Sequence, residues 1–127
     1  MGLISINAHN LEVRESNIDK FVYTLVHESL HILAMSPSLY KYFVPSIEEG
    51  IINSNNVLQR GIQHFNCGVF AGIKLENEGG SQSMGSHFEK VHFGEEIMTA
   101  QMTGKPSISV FTLALLEDTN WYKVDYT

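Results

Sequence analysis

The residues with the clearest chemical potential are His27, Glu28 and His31, which form the pattern HExxH within VHESLHILAMS. Residues four apart lie one above the other on an α-helix, so both imidazoles can face one metal ion. Glu28 is rotated from His27 by about 100° around the helix axis, which puts its carboxylate beside such a metal. This arrangement suits two ligands of a zinc ion and a base that takes a proton from metal-activated water.

The motif does not by itself define a zinc site, because short patterns arise by chance and helical histidines often have structural roles. A catalytic zinc ion usually takes three protein ligands and leaves a further position open for water. In the compact pattern HExxHxxGxxH, a glycine turns the chain and a third histidine follows three residues later. Ala34 and Pro37 occupy those two positions here, so the third ligand must come from elsewhere.

Four further histidines are available as a third ligand: His9, His64, His87 and His92. His9 lies near the end of a predicted strand and His64 lies in an amphipathic stretch, so both fit surface or structural roles. His87 follows a glycine-rich segment, GGSQSMGS, and such a loop can bring an imidazole against a helix. His87 is therefore the favoured third ligand, with His92 as the reserve candidate.

A helix must carry the HExxH residues, and the sequence predicts its limits. Ser16 and Asp19 resemble a capping box ahead of apolar residues that recur at helical spacing. Pro37 disfavours helical geometry in the residue before it, so the helix is predicted to end at residues 34–36. Ahead of the helix, LISIN at residues 3–7 alternates apolar and polar side chains, which predicts a short, half-buried strand.

The rest of the chain is less regular. YKYFVPSIEEGIINSN at residues 40–55 looks irregular, while residues 53–65 predict a short helix after an Asn or Ser cap. CGVFAGIKLE at residues 67–76 predicts a strand or an extended segment. Residues 76–90 are rich in glycine and serine, which predicts a polar loop, and SISVFTLALLED at residues 107–118 predicts a buried helix.

Composition limits the classes of function. A chain of 127 residues with 43% hydrophobic residues can form one core, so we expect a single folded unit. Fourteen acidic and eight basic residues give a net charge of −6, which argues against binding nucleic acid or anionic membrane. No apolar stretch is long enough to span a bilayer, and the first residues do not look like a secretory signal. Cys67 is the one cysteine, which taken alone fits a reducing compartment.

Several separated motifs together resemble leishmanolysin, the surface metzincin metallopeptidase of trypanosomatids, and its relatives in other eukaryotes. They are HESLH, LENEGGSQSMGSHFEK, EEIMTA and TLALLEDTNWYKVDY, in this order. The family has a long insertion between HExxH and the third histidine. The resemblance implies that His27, His31 and His87 bind one zinc ion (Zn2+) and that Glu28 is the catalytic base. It also implies that Met98, in EEIMTA, is the methionine of the turn beneath the metal and is not a ligand.

The resemblance implies an α+β fold with a metzincin-like zincin catalytic centre, made of zinc helix, glycine-rich loop, Met-turn and C-terminal helix. Most of the N-terminal sheet is expected to be absent, so that residues 1–127 are a single partial catalytic domain. Within it, residues 1–36 would hold the strand and zinc helix, 37–86 the insertion and loop, and 87–127 the third ligand, Met-turn and closing helix. Ala34 replaces the usual glycine of the family, which predicts strain if that residue needs a positive φ.

The function implied by the resemblance is a zinc-dependent metalloendopeptidase that acts on proteins or peptides, with a link to cell adhesion at the cell surface. The parent family is secreted or membrane-anchored, so any membrane contact would come through parts absent from this chain, and Cys67 would pair with a cysteine outside it. The alternative is a catalytically incomplete fragment that acts as a zinc-binding or adhesion module. Glu28 favours hydrolysis because a purely structural zinc site needs no base. A third possibility is an accidental HExxH in a plain helical domain.

Overall fold

The computed structural model describes residues 2–7, 9, 14–45, 47–81 and 83–127. Within them, helices and a small three-stranded antiparallel sheet give the α+β class that the sequence predicts. In chain order the elements are α1 (Ile18–Leu33), α2 (Pro37–Tyr40), β1 (Ile47–Glu48), β2 (Ile51–Ile52), α3 (Asn55–Phe65), β3 (Ile73–Lys74), α4 (Lys90–Phe93) and α5 (Val110–Asp118).

Helix α1 carries HExxH and confirms the helix that the sequence predicts for these residues. A short 3-10 turn precedes it, so its N-cap is Asn17 and not Ser16. At its end, the amides of Ala34 and Met35 both donate to the carbonyl of Leu30 at 3.0 Å. Ala34 has φ −157°, far from the left-handed region, so the alanine is not strained and the expected difficulty with the missing glycine does not arise.

Strands β1 and β2 form within residues that look irregular in the sequence, whereas β3 lies in residues 67–76, where the sequence predicts a strand or an extended segment. Strands β1 and β2 are joined by Glu49 and Gly50, whose φ values of +54° and +72° match the two-residue turns that favour hairpins. Strand β2 also pairs with β3, where Ile52 lies opposite Ile73. The hairpin is missed by the sequence pattern because each strand has only two residues, too few to display an alternating period.

Helices α3 and α5 confirm two predicted helices and pack against each other. Near the end of α5, the buried carboxylate of Asp118 accepts hydrogen bonds at the start of α3. The donors are the Asn56 amide at 2.8 Å, the Asn56 Nδ2 at 3.0 Å and the Val57 amide at 3.1 Å. The carboxylate thereby satisfies amide groups that a helix N-terminus leaves unpaired.

The segment before α1 differs from the prediction. Residues 3–7 do not pair with any described strand, and all of their side chains are exposed, so the predicted half-buried strand is not formed. Alternation predicts which face of a strand could be buried, but a strand also needs a pairing partner, and that depends on distant parts of a chain.

The hydrophobic core lies beneath the end of α1 and between the sheet, α5 and the segment around Met98. None of the described helices combines the length and the apolar character required to cross a bilayer. The largest fully buried side chains include Tyr40, Phe88, Met35, Ile52, Ile73, Ile97, Met98 and Leu115.

Candidate metal centre

Three imidazoles converge at the surface of α1. His27 and His31 lie one turn apart on the helix, and their Nε2 atoms are 3.0 Å apart. His87 reaches the same point from the glycine-rich loop, with its Nε2 3.2 Å from the Nε2 of His27. Nitrogen ligands in a tetrahedral zinc site are about 3.3 Å apart, because each Zn–N bond is about 2.0–2.1 Å long. The cluster therefore has the dimensions of a site for one ion.

The opposite ring nitrogen of each of these histidines donates to a backbone carbonyl. A carbonyl oxygen can only accept, so each Nδ1 carries the hydrogen and each Nε2 keeps a free lone pair. Such outer partners orient metal-binding histidines. The pairs are His27 Nδ1 with the Ile97 oxygen at 2.6 Å, His31 Nδ1 with the Met35 oxygen at 2.7 Å, and His87 Nδ1 with the Ser83 oxygen at 2.9 Å.

This chemistry fits a bound cation. With Nδ1 protonated, the facing Nε2 atoms are all acceptors, and two acceptors about 3 Å apart repel each other unless a positive charge lies between them. His27 and His87 are only 6% and 7% exposed, so water screens this repulsion less than it would at a fully exposed site. Burial lowers the pKa of His31 and of His87, against the opposing effect of their backbone hydrogen bonds. The neutral form, which binds metals, is thus favoured.

The loop before His87 takes its shape from glycines. Gly79, Gly80 and Gly85 all have positive φ, which glycine adopts without strain. The loop closes where the Gly85 amide donates to the Glu76 carbonyl at 2.8 Å and the Glu76 amide donates to the His87 carbonyl at 2.8 Å. The predicted polar loop is confirmed, and these two bonds fix the end that carries the imidazole.

Met98 lies in a turn that is bonded to two of the histidine-bearing segments. Its side chain is fully buried in the core. The carbonyl of the preceding residue, Ile97, accepts from His27. The carbonyl of Met98 itself accepts from the amide of Phe88 at 2.8 Å, directly after His87 in the chain. The turn thus joins the end of the glycine-rich loop to α1.

Glu28 is exposed and lines a cleft of about 880 Å³ together with the three histidines. Residues 2–7 lie along the same cleft, with the first half of α1 and the segment after it forming other parts of the wall. A carboxylate beside the imidazole cluster and open to the cleft can exchange protons with water or with a bound molecule.

The other candidate ligands lie elsewhere. Among the described residues, His27, His31 and His87 are the one group of three or more side chains placed to hold a metal ion. His9 is exposed outside this group, and the ring of His64 contacts the ring of Phe111 at 5.4 Å between centroids. His92 is exposed on α4 and is not in the cluster. Cys67 is a half-buried free thiol within this chain.

Sequence reasoning missed the groups that hold the histidines in place. Carbonyl oxygens have no residue-type signature, so nothing in the sequence distinguishes Met35, Ser83 or Ile97 as partners of the imidazoles. It also missed the buried carboxylate of Glu96, which accepts a hydrogen bond from the Met98 amide. The one signal in the sequence was an acidic residue directly before the apolar residues Ile97 and Met98 in EEIMTA.

Comparison with known proteins supports the resemblance in the motifs. The sequence model of the peptidase M8 family, leishmanolysin, matches residues 1–127. The leishmanolysin-like peptidase of Drosophila melanogaster is 25% identical over 173 aligned residues, covering 99% of this chain and 25% of that protein. The leishmanolysin homolog of Crithidia fasciculata is 28% identical over 137 residues, with coverages of 100% and 20%. The leishmanolysin-like peptidase of Caenorhabditis elegans is 41% identical over 70 residues, with coverages of 55% and 11%.

The chain spans about a quarter or less of the length of these three relatives. No solved structure is significantly similar to it. The family model nevertheless matches every residue of the chain, including the HExxH helix and the loop that brings the third histidine to it. This chain belongs to the leishmanolysin family.

Proposed function

We propose that this chain is the catalytic-centre portion of a zinc-dependent metalloendopeptidase. In this proposal His27, His31 and His87 bind the zinc ion and Glu28 is the catalytic base. The observation that carries the proposal is that three imidazoles direct the lone pairs of their Nε2 atoms to one point. Each of these imidazoles donates a hydrogen bond from its Nδ1 to a backbone carbonyl, which leaves the Nε2 lone pair free. Membership in a family of peptidases supports it independently.

The chemistry divides between the metal and one side chain. When bound, zinc would supply the Lewis acidity that polarises a peptide carbonyl and makes water more acidic. Glu28 follows His27 directly on α1 and faces the cleft, so its carboxylate can accept a proton from the attacking water. The same carboxyl group can then donate that proton to the departing amine. The peptide bond is thus hydrolysed without a covalent intermediate on the protein.

The finer fold assignment is part of the proposal. In a metzincin-like arrangement, α1 is the zinc helix, the turn at residues 96–98 is the Met-turn with Met98 beneath the metal, and α5 is the closing helix. The direct bonds of this turn to the segments of His27 and His87 support that reading. The substrate would be an extended protein or peptide segment in the cleft, beside residues 2–7, whose backbone is not paired with a described strand.

A second candidate function is a zinc-binding or adhesion module without hydrolytic activity. The observation that favours it is coverage, because the chain corresponds to about a quarter or less of the length of its relatives. Secretion or surface attachment would then be properties of a longer protein. The two candidates share the same metal site and differ in whether Glu28 has a substrate to act on.

Two substitutions test the proposal on the full chain. Glu28→Gln removes the base and keeps the ligands, so zinc content should stay at one ion per chain while cleavage of a quenched casein substrate disappears. His87→Ala should lose the zinc, and His92→Ala, a histidine outside the cluster, is the matched control and should retain it. Cleavage by Glu28→Gln at the unmodified rate would refute the mechanism. Zinc binding without any chelator-sensitive cleavage by the unmodified chain would favour the second candidate.

A further inference from the structure

The carboxylate of Glu96 is buried, with the residue only 3% exposed, and both of its oxygens accept hydrogen bonds. Oε1 accepts from the amide of Ser109 at 3.3 Å, from its hydroxyl at 3.1 Å, and from the hydroxyl of Thr112. Oε2 accepts from the amide of Met98. One side chain thus joins the start of α5 to the turn at residues 96–98.

At the α5 end of this connection, several hydrogen bonds hold the Glu96 side chain in place. Ser109 is the N-cap of the helix, and its Oγ accepts from the amides of Phe111 at 3.2 Å and Thr112 at 3.4 Å. The same hydroxyl donates its hydrogen to Glu96. A carboxylate beside a helix N-terminus also gains from the helix dipole. The contacts with α5 therefore fix the Glu96 side chain, which can in turn restrain the group that is bonded to its Oε2.

The group held on the other side is a single peptide unit. The Met98 amide and the Ile97 carbonyl belong to the same planar peptide bond, so they cannot turn independently. Glu96 binds its N–H, and His27 Nδ1 donates to its oxygen at 2.6 Å. An uninterrupted line of bonds therefore runs from α5 through Glu96 and this peptide to one imidazole of the proposed metal centre.

We propose that Glu96 is a positioning residue, which sets the orientation of the His27 imidazole by fixing the Ile97–Met98 peptide. This inference rests on the proposed function, because it takes His27 as a zinc ligand. Without the carboxylate, the buried Met98 amide loses its partner, and a buried unpaired amide costs about 1–3 kcal/mol. Rotation of the peptide to recover a partner would carry the Ile97 oxygen away from His27.

The effect should be confined to one of the three ligands. His31 is oriented by the carbonyl of Met35 and His87 by that of Ser83, and neither carbonyl belongs to a group that Glu96 contacts. Loss of Glu96 should therefore weaken metal binding without abolishing it. Removal of an outer hydrogen-bond partner of a ligand typically lowers metal affinity by about 10–100-fold.

Glu96→Gln is the appropriate variant because it has nearly the same shape. An amide oxygen placed toward Ser109 leaves the amide NH2 against the Met98 amide, where two donors face each other. Glu95→Gln is the matched control, since Glu95 is adjacent, exposed and bonded to Thr103. Asp118→Asn is the control for stability, because it alters a buried carboxylate on α5 that bonds to α3 and not to the turn.

The experiment measures Zn2+ affinity by competition with a chelator and the visible spectrum of the Co2+-loaded chain. We expect Glu96→Gln to bind Zn2+ about 10–100-fold more weakly, with a changed Co2+ spectrum, while both controls stay within about threefold of the unmodified chain. Equal affinity and spectrum for Glu96→Gln would overturn the positioning role and leave the zinc site standing. An equal loss in Asp118→Asn would also overturn it, since the effect would then be general destabilisation.

Two further outcomes are decisive. If the unmodified chain binds no Zn2+, the proposed function fails and the role of Glu96 fails with it. If Glu96→Gln does not fold, the milder Thr112→Val removes one donor to Glu96 with little change of shape. That variant should bind Zn2+ more weakly by clearly more than about threefold, a fraction of the outer-partner effect, and an affinity within about threefold of the unmodified chain would overturn the inference.

Discussion

The end of α1 leads to a prediction that separates the motif pattern from the local structure. The metzincin pattern HExxHxxGxxH has a glycine where this chain has Ala34. The Ala34 methyl is buried, with the residue only 2% exposed, and its φ of −157° is open to any residue. Ala34→Gly should therefore destabilise the fold, although it restores the residue that the family pattern contains.

The magnitude follows from two contributions. Loss of one buried methyl group costs about 0.8 kcal/mol, and the greater freedom of glycine in the unfolded chain costs about 0.5–1 kcal/mol. The free energy of unfolding should thus fall by about 1.5 kcal/mol. With a urea dependence of about 1–3 kcal/mol/M, the midpoint of urea unfolding should fall by about 0.5–1.5 M.

The assay is urea unfolding of the full chain, followed by circular dichroism at a fixed zinc concentration. Ala114→Gly is the control, because Ala114 is fully buried within α5 and should lose at least as much stability. If Ala34→Gly were as stable as the unmodified chain, or more stable, while Ala114→Gly was destabilised, residue 34 would require a positive φ. The conclusion that alanine is unstrained there would then be wrong.

Three other predictions concern stability. Asp118→Ala leaves the buried Val57 amide unpaired, so the free energy of unfolding measured by urea titration should fall by about 3 kcal/mol. A loss below about 0.5 kcal/mol would contradict the role of Asp118 as a cap of α3. Gly72→Ala places a Cβ 2.3 Å from the carbonyl oxygen of Ile52, at a residue whose φ is +132°. The free energy of unfolding should therefore fall by about 2 kcal/mol or more, measured by thermal unfolding. An unchanged melting temperature would refute this close approach. Burial raises the pKa of Glu96, so the folded state holds that proton more tightly than the unfolded state, and stability is lost as pH rises through the raised pKa. The urea midpoint of the unmodified chain relative to Glu96→Gln should therefore fall as pH rises above about 4.5, the ordinary pKa of a glutamate, and a rising difference would contradict this sign.

Local signals made much of the structure predictable. Helices α1 and α3 have polar residues at their starts and apolar residues at helical spacing, whereas α5 has the length and composition of a buried helix. Each of these signals acts within one segment. HExxH depends only on helix periodicity, so the approach of His27 and His31 follows once α1 is known. His87 could be predicted as a ligand because the glycines before it indicate a loop. The family resemblance then favoured His87 over His92.

Features that depend on distant parts of the chain were not predictable. Residues 3–7 have the composition of a strand, but pairing is decided elsewhere and no described strand lies against them. The carbonyl partners of the imidazoles are backbone atoms, which every residue has. Glu96 has the same side chain as the exposed Glu95, and only the meeting of α5 with the turn at residues 96–98 distinguishes them.

The loop that brings His87 to α1 has a thermodynamic consequence for the whole chain. A metal ion shared by His31 and His87 would be a cross-link that closes a loop of about 56 residues, nearly half of the chain. By the entropy model used for disulfides, closing such a loop removes about 4 kcal/mol of conformational freedom from the unfolded state. The zinc ion would then take the part that a disulfide has in many small secreted domains, in a chain whose one cysteine cannot form such a bond internally.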